Sequence, residues 1–280
     1  MDFDALKFHK RFIWNLLIPS FVLGVITILP AQNILSISPG AGGAAIGSVR
    51  TTQADAIALL GNQAGAAFAS DAGWYVSAER RFGLEELNYL SGAFLYPTSL
   101  GSFGITILYH GFDAYNEQLI GFSYSRALAE ELSISTQLDY LNLRIPSYGH
   151  RSAFTFELGL YSKIVDQLVL GFHTFNPLKV EWTEGQLLSS RFSLGLAYQP
   201  FDELILYSEI EKSSLYPANI KMGLSYLATS NLFLRAGVQT ELSIFSIGIG
   251  YQFSNGLTID FSTLSRQGLG LSPVFGIGQN

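Results

Sequence analysis

Residues 242–253 read LSIFSIGIGYQF, and the chain runs on through SNG at 254–256 into LTIDF at 257–261. Phe245, Ile247, Ile249, Tyr251 and Phe253 take every second position, and Ser246, Gly248, Gly250 and Gln252 fill the gaps. A period of two marks a strand whose side chains alternate between faces. A strand with one wet face alternates apolar with charged residues. Here the apolar face is unbroken and partly aromatic, and the other face is small and polar. The pattern predicts a strand with lipid on one side and a narrow polar lumen on the other.

Neighbouring segments repeat it. Phe192, Leu194, Leu196 and Tyr198 form one apolar row; Ile220, Met222, Leu224 and Tyr226 another; Leu232, Leu234, Val238, Leu257, Ile259 and Phe261 extend it. The opposite rows carry Arg191, Ser193 and Gly195, then Glu209 and Glu211, Lys221, Arg235 and Asp260. Charge therefore falls almost wholly on one face. A soluble sandwich of this length would place Lys and Glu densely on its outer faces, and these strands do not.

From residue 71 onward, period-two segments lie near 73–81, 87–96, 102–111, 117–126, 131–142, 152–162, 166–175, 189–199, 203–212, 218–227, 231–239, 242–253, 256–264 and 270–278. This predicts an all-β fold, a transmembrane antiparallel β-barrel of about 14 strands over 71–280, each strand with its turn using about 15 residues. The connections ALAEE, KIVD, QPFD, ATSN and SNG are short. HGFDAYN, RIPSYGHR, FNPLKVEWTEGQLLS and KSSLYPAN read as long, irregular loops. Tight turns on the periplasmic side and longer outer loops are usual for such barrels. Tyr161, Tyr198, Tyr226 and Phe253 fall at the short-turn ends, where an aromatic girdle is expected.

Composition agrees. Hydrophobic residues make up 48% of the 280 and charged ones only 14%, with no apolar run past residue 30 long enough for a spanning helix. Lys7, Lys10 and Arg11 precede FIWNLLIPSFVLGVITILPAQ, which reads as a signal peptide over 1–31, cleaved between Ala31 and Gln32. Without those 31 residues, three of the 16 basic and two of the 22 acidic residues are lost, leaving 13 and 20 and a net charge of −7. That excludes a basic nucleic-acid surface. With no cysteine, neither disulfides nor thiol chemistry contribute.

Residues 32–70 differ from both flanks. SPGAGGAAIGSVRTTQADAIALLGNQAGAAFAS is rich in small residues, and TTQADAIALLGNQAG reads as a short helix capped near Thr52 and broken at Gly61 or Gly65. So little bulk suits a plug or hatch inside the lumen, with Gly40, Gly42, Asp55, Leu59, Leu60, Asn62 and Gly65 as its marking residues. Gly237, Gly248 and Gly250 on the wall would let it approach closely. The inward cluster Glu209, Glu211, Lys221, Arg235 and Asp260 reads foremost as a lumen ion-pair network, and second as a set of holdfasts for the hatch.

The small-residue start, ADAIALL, NQAG and then fourteen strands resemble the PorV/PorQ group of outer-membrane barrels, itself related in architecture to FadL-type transporters. FSLGLAYQPFDELILYSEIEK, IKMGLSYLATSNLFLRAG and FSIGIGYQF look like that group's recurring strand–turn–strand units. Gln63 stands where the group often has proline. The resemblance covers the chain from about Ser36 and implies a monomeric Bacteroidetes-type outer-membrane protein. It implies a non-catalytic accessory subunit of type IX secretion, with secretion-channel proteins or cargo as partners, or a FadL-like passive transporter of hydrophobic molecules.

Enzymatic features are weak. His110 and His173 fall on the lumen face at outward strand ends but on non-adjacent strands, and no G-x-S-x-G turn occurs. The histidines show no metal-ligand spacing. Gly40, Gly42 and Ala45 fit a dinucleotide pattern without the strand and βαβ unit it needs. No cofactor is expected. In the longest outer loop, Pro177, Val180 and Trp182 are expected to expose apolar surface, as a partner site or an interfacial anchor. The lumen face reads as Gly, Ser and charge with few large residues besides Tyr207 and Phe233, which disfavours an apolar pocket unless Leu59 and Leu60 supply one.

Overall fold

The computed structural model describes residues 39–146, 148–183 and 186–279. The signal peptide expected over 1–31 lies outside the described residues. The chain enters as a short helix α1 (Gly40–Ala45) and two 3₁₀ turns, Asp55–Leu60 and Gln63–Phe68. Strands follow as β1 (Gly73–Arg80), β2 (Asn88–Thr98), β3 (Gly101–Phe112), β4 (Tyr115–Ala129), β5 (Leu132–Ile145), β6 (Gly149–Val165) and β7 (Leu168–Phe175). Next come β8 (Glu181–Thr183), β9 (Gln186–Leu187), β10 (Arg191–Phe201), β11 (Leu204–Ser213) and β12 (Asn219–Thr229). The last are β13 (Leu232–Gln239), β14 (Ile244–Gln252), β15 (Leu257–Arg266) and β16 (Gly270–Gln279).

Among the described residues, fourteen of these strands close into one antiparallel barrel, while β8 and β9 pair only with each other. The ring shuts where β1 meets β16, with Trp74 opposite Gln279 and Glu79 opposite Val274. Closure leaves no strand edge unpaired, which a sheet in hydrocarbon requires.

The two faces follow the alternation read from the sequence. On β14, Ile247 is 63% exposed and its neighbour Ser246 3%. Phe192, Leu194, Leu196, Tyr198, Ile220, Met222, Leu224 and Tyr226 all point outward, while Ser193, Glu209, Lys221 and Asp260 are buried inside. Tyr198, Tyr226 and Phe253 stand on the outer face at the short-turn end. Tyr161 does not: it sits opposite the buried Ser133, points into the lumen and packs on Phe68 of the hatch at 5.9 Å between ring centroids. Its parity with Thr155 and Glu157 puts it on the inner face, and an aromatic there fills space beside the hatch.

The barrel is taller on one side than the loop reading implied. HGFDAYN and RIPSYGHR are mostly strand: β3 and β4 are joined by 113–114 alone and β5 and β6 by 146–148. β4, β5 and β6 have 15, 14 and 17 residues, beyond the roughly 9–11 that cross a bilayer, whereas β7 has 8. The tall wall and its missing counterpart above β7 leave a notch, where Trp182 and Leu188 pack against the barrel.

Residues 39–70 lie inside the barrel. The expected helix from Thr52 is two 3₁₀ turns separated at Gly61, and Gly65 lies within the second. Thr51 and Thr52 are turn residues, because the Thr51 hydroxyl bonds to the wall at Glu209 instead of capping a helix. The α-helix falls earlier, in GAGGAA, where no apolar period marks it and burial on all sides replaces propensity.

Candidate functional site

The hatch is fixed by side chains of the wall that reach its backbone. Glu209 on β11 is the centre. Its Oε2 accepts from the Arg50 and Thr51 amides and the Thr51 hydroxyl, each at 2.9 Å, and its Oε1 accepts from Lys221 Nζ at 2.8 Å. Lys221 also donates to Glu211 at 3.0 Å and to the Ser48 carbonyl at 3.3 Å. Glu209 and Lys221 face each other in register on β11 and β12, so the pair is set by the ladder. The carboxylate meets both a cation and three hatch donors, which satisfies a charge buried this completely.

Arg235 and Asp260 form a second, separate pair at 2.5 Å between Nη1 and Oδ1. They stand on β13 and β15, and the strand between them offers Gly248 and Gly250. A side chain at Gly250 would run into both partners. Gly250 thus makes room for the ion pair, whereas Gly237 and Gly248 make room for Gly47 and Ala45 of the hatch as expected. The Tyr75 hydroxyl accepts from the Ala41 amide at 3.0 Å and donates to Asp260 at 3.4 Å. The five-residue cluster is therefore two groups: Glu209, Glu211 and Lys221 meet the hatch directly, and the Arg235–Asp260 pair is linked to it through the Tyr75 hydroxyl.

Other wall contacts complete the seat. Ser246 donates to the Ala45 carbonyl at 2.9 Å and accepts from the Gly47 amide at 3.2 Å. Thr106 donates to the Leu59 carbonyl and Ser133 to the Ala64 carbonyl. Asn62, fully buried, donates to the Thr51 carbonyl at 2.8 Å and to the Leu160 carbonyl of β6 at 2.9 Å. Gln63 donates to Glu157 at 2.6 Å, and His173 Nε2 meets the same oxygen at 2.7 Å. Gln63 is thus a tie to the wall. Gly40 takes φ +70° beside Tyr75, and Gly42 lies against Asp260. Gly65 packs on the Gln53 carbonyl so closely that a Cβ would collide. Asp55 sits at φ 58° and is half-buried, and burial pushes its carboxyl above the usual range.

Above the hatch, toward the long-loop end, one patch of the lumen is apolar, beside buried polar groups such as Glu79, Arg81, His110 and Glu117. Tyr89, Leu119, Leu141, Ala153, Phe175, Trp182 and Leu188 are buried together, with Leu108, Leu143 and Val180 packed against them. Trp182, expected at the exposed rim, is 7% exposed. The segment turns inward at Asn176 (φ 51°), whose side chain bonds to Thr155, to the Val180 amide and to the Leu188 carbonyl, and β8 carries the indole into the notch. Val180 and Pro177 are half-buried beside it. An apolar surface at a solvated rim gains by folding onto the lumen's own apolar patch. Leu119 and Leu141 mark that patch in the sequence: LI at 119–120 and YLNL at 140–143 are apolar on both faces at the outer strand ends.

Two cavities flank the hatch. The upper holds about 30 Å³, lined by Leu59, Leu60, Leu108, Leu119 and Phe175 and by Gln63, Gln137, Glu157 and His173. That is room for about one water, and the buried Gln63 Oε1, Gln137 Oε1 and His173 Nδ1, without partners among the described residues, would hold it. The lower, at the short-turn end, holds about 200 Å³ between Ile46 and Ile57 of the hatch and Tyr75, Ile205, Tyr207 and Phe233 of the wall. Leu59 and Leu60 thus contribute apolar lining above, and Ile57 continues it below. The hatch contributes lining to both spaces.

His110 stacks on Tyr89 at 3.9 Å and meets the Asn88 carbonyl, and β4 and β5 stand between its strand and the His173–Glu157 pair on β7 and β6. No group of three or more His, Asp or Glu among the described residues is disposed to hold a metal ion.

The fold and its outer surface define a class: a lipid-embedded antiparallel barrel of outer-membrane type with a hatch in its lumen. No protein-family profile matches the chain, and no curated protein matches its sequence. Solved structures do match its fold. The Ralstonia pickettii toluene transporter TbuX superposes with a TM-score of 0.69 at 12% identity, over 86% of this chain and 98% of that one. A Pseudomonas aeruginosa FadL homologue gives 0.62 at 14% identity, over 86% and 97%. The Pseudomonas putida toluene transporter TodX gives 0.61 at 14%, over 85% and 96%. At these identities the likeness is one of fold.

Proposed function

We propose that the protein is a non-catalytic conduit that admits small hydrophobic molecules across the outer membrane of a Gram-negative cell, working as a monomer in lipid. The observation that carries this reading is the apolar patch inside the lumen, Leu108, Leu119, Leu141 and Phe175 under Trp182. A water-filled pore has polar walls. The patch packs against Trp182 in this state, and an apolar solute can take the place of that indole on the same wall.

The described state is the shut one. Trp182 covers the patch from outside, and the hatch below is held by ties to Glu209, Lys221, Ser246, Glu157 and Leu160. Passage then requires the 176–190 segment to lift and the hatch to shift, both small, polar-tethered elements against a rigid wall. The accessory role in type IX secretion asks for an exposed partner surface on the longest loop. Trp182 is turned inward instead, so the transporter reading is preferred. The fold of TbuX and TodX supports the choice without deciding the solute.

The test is solute flux into vesicles reconstituted with the purified protein. Toluene is expected to equilibrate faster than in protein-free vesicles, while a sugar of similar mass is excluded. Equal exclusion of both, or admission of the sugar, rejects the conduit.

A further inference from the structure

The cavity beneath the hatch has a lining that is specific beyond being apolar. Its volume of about 200 Å³ lies below the roughly 300 Å³ at which sites for drug-sized ligands begin, so it suits one ring and not a long chain. Ile57, Ile205 and Phe233 supply the apolar walls. Tyr207 contributes a hydroxyl with no hydrogen-bond partner among the described residues. Tyr75, the other phenol there, is already committed to the Ala41 amide and Asp260.

Charge narrows the ligand further. Arg235 reaches Asp260 through Nη1 at 2.5 Å, and its guanidinium lies 5.0 Å from the Phe233 ring centre. The two charges neutralise each other, so nothing is left to hold an anion, and a carboxylate would face Asp260 at close range. The spare hydrogen-bonding groups on the lining include the Tyr207 hydroxyl, the remaining N–H groups of Arg235 and the side chains of Gln53, Ser225 and Thr258, all of them able to donate. A small neutral ligand with one polar oxygen can therefore be met by a donor, and the Tyr207 hydroxyl stands beside the apolar walls.

We infer that this cavity is a binding site for a neutral single-ring aromatic molecule carrying one oxygen, a phenol, aromatic alcohol or aldehyde, with the Tyr207 hydroxyl donating to that oxygen. The inference rests on the conduit reading, in which the site is the last stop of a solute that has passed the hatch. Its position at the short-turn end, taken as periplasmic, makes it an exit site.

The test compares three probes on the purified full chain in detergent by titration calorimetry, with empty micelles subtracted: 4-methylphenol, toluene and benzoate. Wild type is expected to bind 4-methylphenol about 5- to 10-fold more tightly than toluene, the value of one net hydrogen bond, and benzoate more weakly than either. Tyr207→Phe should bring 4-methylphenol to the toluene level and leave toluene unchanged. Ser225→Leu, which fills the cavity from β12, should abolish saturable binding of both while heat-modifiability on gels shows the barrel intact. Equal affinity for toluene and 4-methylphenol, a preference that survives Tyr207→Phe, or tighter binding of benzoate each overturns the site. Flux of toluene without a Tyr207-dependent preference also overturns the site and leaves the conduit standing. Tyr207-dependent binding without flux supports the site and rejects the conduit.

Discussion

Replacing Glu209 by alanine should release the hatch without opening the barrel. The side chain is fully buried and accepts four hydrogen bonds, three of them from Arg50 and Thr51 of the hatch. Each buried donor left without an acceptor costs about 1–3 kcal/mol. Taking the low end for all three, since water can follow the missing side chain, gives about 3 kcal/mol, a roughly 100-fold rise in the undocked population. Lys221 keeps Glu211 and the Ser48 carbonyl, so no buried charge is orphaned on the wall. The assay is amide hydrogen exchange on the detergent-solubilised protein. Amides remote from position 209, such as Ala41, Gly47 and Ala64, should exchange about 100-fold faster, while strand amides of β11 and β12 hold their protection. Glu209→Gln, which keeps an acceptor oxygen, should fall between. A change below about threefold at Ala41 and Ala64 would mean that the hatch is seated by packing alone and that the carboxylate is incidental. Loss of strand protection would mean that the charge pair serves the wall.

Three further outcomes follow from the same geometry. Ile247→Arg, on the lipid face near mid-strand, should cost about 2–4 kcal/mol and impair membrane assembly, while Gln252→Arg at the exposed turn end should be tolerated, as read from heat-modifiable gel mobility. Trp182→Ala should weaken closure of the outer lumen by about 3–5 kcal/mol, seen as faster toluene flux and protease sensitivity of 176–190 with an unchanged barrel. Burial raises the Asp55 carboxyl, so its ionised form opposes docking above that raised value, and the penalty vanishes as pH falls below the ordinary carboxylate range. Asp55→Asn, also at ease at φ 58°, should therefore increase hatch protection at pH 7 and make no difference near pH 3, again by amide exchange.

The barrel was legible because lipid imposes one rule on every strand. Ile247 out and Ser246 in is the same statement fourteen times over, and register follows parity. The Glu209–Lys221 tie was legible for that reason too. The hatch was not, beyond its existence: GAGGAA has no period, and its short helix exists because Gly237, Gly248 and their neighbours leave it a groove. Tyr161 was misplaced by its position near a turn, although its parity with Glu157 puts it inside. Trp182 was misplaced because alternation says nothing about a loop. The loop's position depends on a notch above β7, which exists only after β6 and β7 are known to differ by nine residues in length. The apolar lumen patch had a signal, the double-faced apolar ends at 119–120 and 140–143, that the charge-rich final strands obscured.

The central claim is that an apolar solute travels through the lumen and past the hatch. Photolabelling in reconstituted bilayers with a small apolar diazirine, mapped by mass spectrometry, tests it most directly. The account predicts labels on Leu119, Phe175 and Leu59 above the hatch and on Ile57 and Phe233 below it, all displaced by excess toluene. Labels confined to lipid-facing residues such as Ile247, Met222 and Phe192, and unaffected by toluene, would contradict it.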